Sequence, residues 1–493
     1  MRFSFLLKAA ATCALVFLFD RLFPADAGGA TVGVFAGAWL LALIATRRDV
    51  RARRGAWVAV ALAALFAVAL FDASSALAWV LFWTALSVAA LLPRAAGFDD
   101  AWRWGVRLLL HGAGGPLKLL MDLHRLATRP RAKGVSAQAL VATLALPVIG
   151  GGVFVALFAA ANPLVEQAFT GVSLPPVGRV LLCGIVAMLV WPAFRPQRAV
   201  LRVAAALPDP EPRIPGTSLP SVVIALGVFN LLFAVQNGLD IAFLWSGAPL
   251  PEGMSAAEYA HRGAYPLIGT AALAGFMALA MLRPGSASAA SPWARRLVTL
   301  WVGQNLVLVA SSVLRTLDYI GESMLTAWRI AALLWMGLVA RGLILICWRI
   351  LAQRSARWLI NGNALAGGLV LSVCAFVDLG AIAAQWNVDH GRAGQVDLCY
   401  LREVGDGALL PVIALERRTG HPALRAGVRA VRVDLYDDLA WRQSRWTSWT
   451  PRGARRLSAA LALGGDRKGQ ADPYRRDCRG LVIPPPPVAS VQP

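Results

Sequence analysis

The sequence predicts an all-α, polytopic transmembrane bundle of about eleven spans, followed by a small helical extramembrane region at the C-terminus. Three observations predict it. The 493-residue chain is 58% hydrophobic and only 15% charged, where an ordinary soluble domain carries roughly a quarter charged residues. Its apolar residues gather into blocks of the roughly 20 residues that a helix needs to cross a bilayer core. These blocks recur as far as residue 385, with most of the charge placed between them.

Taken in order, the predicted spans are 3–20, 30–46, 56–72, 76–93, 138–161, 177–194, 221–245, 264–282, 297–317, 325–348 and 362–385. Each must be a helix, because lipid offers backbone groups no hydrogen-bond partner. They divide the chain into helices 1–4 (1–93), a cytoplasmic loop (94–137), helices 5–11 (138–385) and an extramembrane tail (386–493). Small-residue runs such as Gly150-Gly151-Gly152 and Gly367-Gly368 allow helices to approach closely in a bilayer.

The first span raises a question of its own. Arg2, Lys8, the apolar run 9–19 and Ala25-Asp26-Ala27 imitate a signal peptide. Asp20 and Arg21 lie where a cleavage region should be neutral, which favours an uncleaved anchor.

Charge between the spans orients them. The N-terminus and loops 47–55, 94–137, 195–218, 283–296 and 349–361 hold 25 Lys and Arg, against five in the alternate loops. The positive-inside rule places the first set in the cytoplasm, which an odd span count converts into a periplasmic tail. The net charge of +21 therefore points to lipid head groups as partner and not to nucleic acid. Of 48 basic residues only Lys8, Lys118, Lys133 and Lys468 are lysine, a pattern of GC-rich coding that favours a bacterial inner membrane.

Cys13, Cys183, Cys347 and Cys374 fall within spans, as small apolar residues do. Cys399 and Cys478 are the two cysteines of the tail; an oxidising compartment permits a disulfide between them, and two free thiols are the alternative.

Ionisable groups are costly within a membrane, so their positions are informative. Span 221–245 carries Asn230, Gln236, Asn237 and Asp240, and the following loop carries Glu258, Tyr259, His261 and Arg262. Asn230, Asn237 and Asp240 share one helix face. Gln304, Asn305, Ser311 and Ser312 mark span 297–317; Arg315 and Asp318 lie at its outer end, Arg329 opens the next span, and Asp378 sits in the outer third of the last. Asn230, Gln236, Asn237, Asp240, Glu258, Tyr259, His261, Arg262, Arg315, Asp318, Arg329 and Asp378 are thus candidates for one outward-facing polar pocket. The competing reading is mutual pairing that fixes helix packing. Arg341 lies near the inner surface, where it can snorkel.

No nucleophile elbow, P-loop, dinucleotide fingerprint or zincin motif is present, so no catalytic residue is assigned and no cofactor or metal is expected. His390, Cys399, His421 and Cys478 match no zinc spacing. Residues 98–128, with Trp102, Arg103, Trp104, Arg107, Lys118 and Arg125 among leucines, read either as interfacial helices or as connectors packed on the bundle. In the tail, Trp441, Arg442, Arg445, Trp446, Trp449, Arg452, Arg455 and Arg456 form a cluster. It suits lipid head groups, an acidic partner or internal cation–π packing. The run 484–487 of four prolines should be extended or disordered.

Residues 228–237 (VFNLLFAVQN) with 255–263 (SAAEYAHRG) resemble a family of bacterial polytopic membrane proteins known as a domain of unknown function, numbered 4153 or 4173. Residues 324–329 (MLTAWR), Trp386-Asn387-Val388, 397–401 (DLCYL) and 405–409 (GDGAL) are similar to the same family. The likeness covers about 220–415 and departs at Met324, where members tend to have glycine. It transfers no activity; it implies that Asn230, Gln236, Glu258, Tyr259, Arg262, Arg329, Asn387, Asp397 and Tyr400 are worth mutating.

The favoured reading is an inner-membrane protein that binds a partner protein, an envelope component or a small solute at its periplasmic face. A secondary transporter and a membrane-embedded enzyme acting on a lipid-linked substrate are the alternatives.

Overall fold

The structure is a computed structural model. It describes residues 2–24, 28–95, 97–128, 176–208, 218–246, 286–391 and 396–466, with a few further positions between 147 and 281. Among the described residues there are helices and no strands.

The first helices are α1 (Arg2–Leu22), α2 (Thr31–Thr46), the short α3 (Arg48–Ala52), α4 (Arg54–Asp72) and α5 (Ala76–Leu91). Next come α6 (Ala101–Gly114), α7 (Leu117–Ala127), α8 (Val177–Phe194) and α9 (Arg198–Ala205). The family-like core contributes α10 (Leu219–Asp240), α11 (Pro292–Ser323), α12 (Ala327–Leu351) and α13 (Ala356–Phe376). The tail holds α14 (Leu379–His390), α15 (Leu398–Val404), α16 (Leu409–Arg418), α17 (Pro422–Ser444) and α18 (Pro451–Ala462).

Local sequence explains most starts. Ser75, Ser218, Ser291, Thr326, Ser355 and Thr450 each accept an amide hydrogen bond from the first turn of their helix, which satisfies a donor the helix leaves open. Pro292, Pro422 and Pro451 sit in first turns, where a missing N–H costs nothing.

Seven of these helices are long and apolar enough to cross a membrane. Six match the predicted spans 56–72, 76–93, 177–194, 221–245, 297–317 and 325–348 and the seventh overlaps 362–385, while 3–20 and 30–46 coincide with α1 and α2. Spans 138–161 and 264–282 lie largely outside the described residues, and the proline run 484–487 wholly so.

The apolar side chains face outward to a degree no water-soluble bundle tolerates. On α10, Ile224, Leu231, Leu232 and Val235 are exposed, as are Leu365, Leu369 and Val373 on α13. Exposed tryptophans mark both ends: Trp57, Trp293 and Trp348 at one, Trp245 and Trp328 at the other. On α12 the interval from Trp328 to Trp348 corresponds to roughly 30 Å of helix, the thickness of a hydrocarbon core. The chain is a helical membrane bundle.

The last span departs from its prediction. Its helix starts at Ala356 and stops at Phe376, and α14 begins afresh at Leu379. Asp378 causes the break: its carboxylate accepts the Ala381 amide at 3.0 Å and caps α14. Apolar residues on both sides conceal that boundary from a hydropathy reading.

Packing is made of small residues on the amino-terminal side. Ala56, Ala59, Ala63 and Ala67 of α4 are buried, as are Ala78, Ala85 and Ala89 of α5. Gly33 brings α2 against α4 so closely that a Cβ there would lie 2.4 Å from the Phe71 backbone nitrogen. At the opposite end Arg47, 1% exposed, donates to the carbonyls of Ala90 and Ala193 at 2.9 Å each and pairs with both Asp49 oxygens. One cation thus satisfies the open carbonyl ends of α5 and α8.

α6 buries Trp104, Arg107 and His111 against the bundle, and Asn361 of α13 accepts its Ala101 amide at 2.7 Å. Its other face, with Trp102 and Leu109, and the α7 residues Leu117, Leu120 and Leu123 are exposed. This stretch is thus packed on the bundle on one side and apolar outward on the other.

The tail forms its own core from Leu398, Leu401, Leu409, Val412, Leu415, Val428, Val431, Leu435 and Leu439. It docks on the bundle end where α1, α4 and α13 finish. Gly28 and Gly29 donate to the Thr447 carbonyl (3.2 and 3.0 Å), and Ala30 donates to that of Trp449 (2.8 Å). Gly29 is needed there, since a Cβ would meet the Ser448 carbonyl carbon at 2.5 Å.

Candidate functional site

Polar side chains in the family-like core concentrate where α10 meets α11. The two helices run parallel, because cross-helix bonds advance in step: Asn230 Nδ2 donates to the Leu297 carbonyl and Asn237 Nδ2 to the Gln304 carbonyl, each at 3.0 Å and each 67 residues on. Trp245 Nε1 to Ser311 Oγ, at 3.1 Å, continues the series. Parallel helices are the arrangement that the predicted span 264–282 between them requires.

The sequence builds this seam on a seven-residue repeat, which keeps Asn230 and Asn237 on one helix face. Toward the C-terminal end of α10 lies Asp240, 0% exposed, paired with Arg315 of α11. Gln236 Nε2 donates to the same carboxylate oxygen at 3.0 Å. Asn305 donates back to the Trp301 carbonyl at 2.8 Å, and Ser312 to that of Leu308 at 2.9 Å. Asp240 lies roughly 15 Å along the helix from Asn230, so the seam runs from mid-depth towards one end.

Along the seam, unpaired acceptors outnumber unpaired donors. Asn230 Oδ1, Asn237 Oδ1, Asp240 Oδ2, Gln304 Oε1 and Asn305 Oδ1 are buried with no hydrogen-bond partner among the described residues. The Nδ2 of each asparagine is committed to a backbone carbonyl, and its oxygen is left over as an acceptor. A buried acceptor left alone costs about 1–3 kcal/mol, and five of them along one seam are more than packing explains.

The other predicted members do not join the seam. Asp318 is exposed. Arg329 stacks on Tyr319, 4.1 Å from the ring centre, and donates to the carbonyls of Ser323 and Met324. Asp378 pairs with Arg456 of the tail at 2.5 Å. Glu258, Tyr259, His261 and Arg262 lie outside the described residues. Arg341 spends its charge on the Gly362 carbonyl of α13 at 2.9 Å.

The residues singled out by family resemblance at the α11–α12 turn are fasteners. Asn387 accepts the Leu325 amide (2.7 Å) and donates to the Leu325 carbonyl (2.9 Å). Tyr400 Oη accepts the Ala327 amide at 2.9 Å, and Asp397 caps α15. Together they tie the turn to the tail. That turn holds Met324 at φ 66°, ψ 169°, a conformation open almost only to glycine.

Where the bundle meets the tail, a cavity of about 510 Å³ is lined by Ser74, Asp378, Asp406, Arg442, Arg452 and Arg456 among others. Arg456 bridges Asp378 and Asp406 (2.5 and 2.8 Å), while Arg452 and Arg455 hold Asp72 of α4 at 3.0 and 2.6 Å. Burial works against ionisation of Asp378, but the Arg456 hydrogen bond and charge prevail and hold its carboxyl below the usual value. The arginines of the Trp/Arg cluster are therefore largely engaged within the protein. Trp441 and Trp446 remain exposed, with Arg445 lying over the Trp441 ring. Cys399 is disulfide-bonded; Cys478, the partner considered for it, lies outside the described residues.

No curated protein and no solved structure matches the chain. The family model described as Domain of unknown function (DUF4153) matches residues 35–415. The match begins at residue 35 and not near 220, so it takes in the amino-terminal helices together with the α10–α11 seam and the start of the tail. It spans well over half of the sequence, and the chain belongs to that family.

Proposed function

We propose that this protein is a multi-pass component of a bacterial inner membrane that binds a small, donor-bearing solute in the α10–α11 seam, entered from the periplasmic face. The orientation is supported by the excess of Lys and Arg at one end, 25 against five. The tail, docked at the arginine-poor end, is then periplasmic.

The observation that carries the solute reading is the row of five buried acceptors beside the Asp240–Arg315 pair. A lining whose unpaired acceptors outnumber its donors fits ammonium, guanidinium or polyhydroxylic groups. The depth of Asn230 also favours passage through the membrane, so a secondary transporter is the second reading.

The test uses purified full-length protein in detergent, melted against a panel of ammonium, guanidinium and polyol solutes. At least one class should raise the melting temperature of the wild type and fail to raise that of Asn305→Leu. The leucine variant should fold at least as stably as the parent, because it removes a lone acceptor. A panel that shifts neither protein, or both equally, refutes the seam as a binding site.

A further inference from the structure

A second cavity, independent of the seam, opens at the arginine-rich end. It measures about 540 Å³ and is lined by Arg94, Lys118, Arg125, Arg195, Arg198 and Arg202, with Met121, Pro196, Gln197 and Ala199. Six cations and, among the described residues, no acid face it. The two nearest acids are already committed twice each: Asp49 to Arg47 and Arg94, Asp122 to Lys118 and Arg195. Arg125, Arg198 and Arg202 have no acidic partner among the described residues. Such a surplus of converging cations calls for an anion.

The elements place the cavity at head-group depth. It starts where two spanning helices end, at Arg94 after α5 and at Arg195 after α8. Its remaining walls are the amphipathic α7 and α9. Lys118, Met121 and Arg125 lie on one face of α7, at intervals of three and four residues. The opposite faces are apolar and exposed: Leu117, Leu120 and Leu123 on α7, Val203 on α9. α9 also begins at the cavity without a side-chain cap, because Gln197 donates instead to the Gly114 carbonyl at 2.8 Å. Its first-turn amides add donors suited to a phosphate.

We infer that this cavity binds the phosphate of an anionic phospholipid, with the head group among Arg125, Arg195, Arg198 and Arg202 and the acyl chains along the exposed leucines of α7. Phosphate is the shared chemistry of a lipid and a water-borne ligand. The apolar rim selects the lipid.

The experiment is a melting titration of delipidated full-length protein in neutral detergent. The probes are short-chain phosphatidylglycerol, phosphatidylcholine of the same chain length, and sodium phosphate. Phosphatidylglycerol should raise the melting temperature and phosphatidylcholine should not. In the double variant Arg198→Gln/Arg202→Gln, two exposed positions, the concentration needed should rise on the order of 30-fold. Should that variant unfold, Arg125→Gln alone should give a smaller rise in the same direction. Equal effects of the two lipids, or an unchanged titration in both variants, overturn the site. A shift produced as well by sodium phosphate assigns the cavity to a water-borne anion and overturns the lipid.

Discussion

The Asp240–Arg315 pair can be taken apart in a double-mutant cycle whose arms are unequal. Asp240 is fully buried and Arg315 nearly so, and removing one partner of such a pair costs about 3–5 kcal/mol. Asp240→Asn leaves an arginine that cannot shed its charge and should fall at the upper end. Arg315→Met leaves a carboxylate that retains the Gln236 hydrogen bond at 3.0 Å, so it should cost less. The double variant carries no buried charge at either position and should recover to within about 1 kcal/mol of the parent. Unfolding of the purified protein in mixed micelles measures all four corners. A double variant no more stable than the worse single one would refute direct coupling. The same four proteins separate packing from binding: the double variant should regain stability and still lose the solute-induced melting shift. A shift that returns with stability would make the pair a structural pin.

Three further outcomes are expected. In intact cells a membrane-impermeant maleimide should label Cys399 only after reduction; labelling that needs lysis would invert the proposed orientation. Gly29→Val should drive the backbone of residues 447–449 off the first helices and expose the tail to protease, whereas Gly28→Val, with open space at its Cβ position, should do so far less; equal cleavage of the two variants would refute the close-contact argument. Burial, with the Arg47 charge adding to it, lowers the His111 pKa from 6.5 to about 4. The unfolded chain therefore binds the extra proton between those values, and stability falls with pH, by about 2 kcal/mol between pH 7 and 5. His111→Phe, which can keep the stacking on Trp83, should flatten that part of the melting profile, and an unchanged profile would exonerate the histidine.

Hydropathy made the spanning helices legible because lipid enforces a single rule on twenty consecutive residues. The seven-residue spacing of Asn230 and Asn237 likewise showed a polar face before any partner was known. What faces it was not legible. The parallel direction of α10 and α11 followed from the span predicted between them, but that they pair at all follows from packing across 67 residues, for which no local pattern exists. The polar residues at the outer end share a level in the membrane, and level alone suggested one pocket. Asp378 shows why this fails: its neighbours in space are Ala381 and Arg456, a helix cap and a tail cation. The arginines of the tail carried the opposite ambiguity. Their composition suited lipid or an acidic partner, while the acid that takes two of them, Asp72, lies 380 residues away from Arg452. Met324 was not legible either: nothing in its sequence neighbourhood announces a positive φ.

The strap between residues 28–30 and 447–449 also sets a schedule. Its two halves are separated by 416 residues, counted from Thr31 to Thr447. At roughly 5–20 residues per second a ribosome needs on the order of 20–80 s to make the second after the first. For that interval the earliest loop waits with its amides open, on the far side of the membrane in the proposed orientation. The segment that closes this loop is made long after it, so a chain cut short before residue 447 carries its own mark of being unfinished.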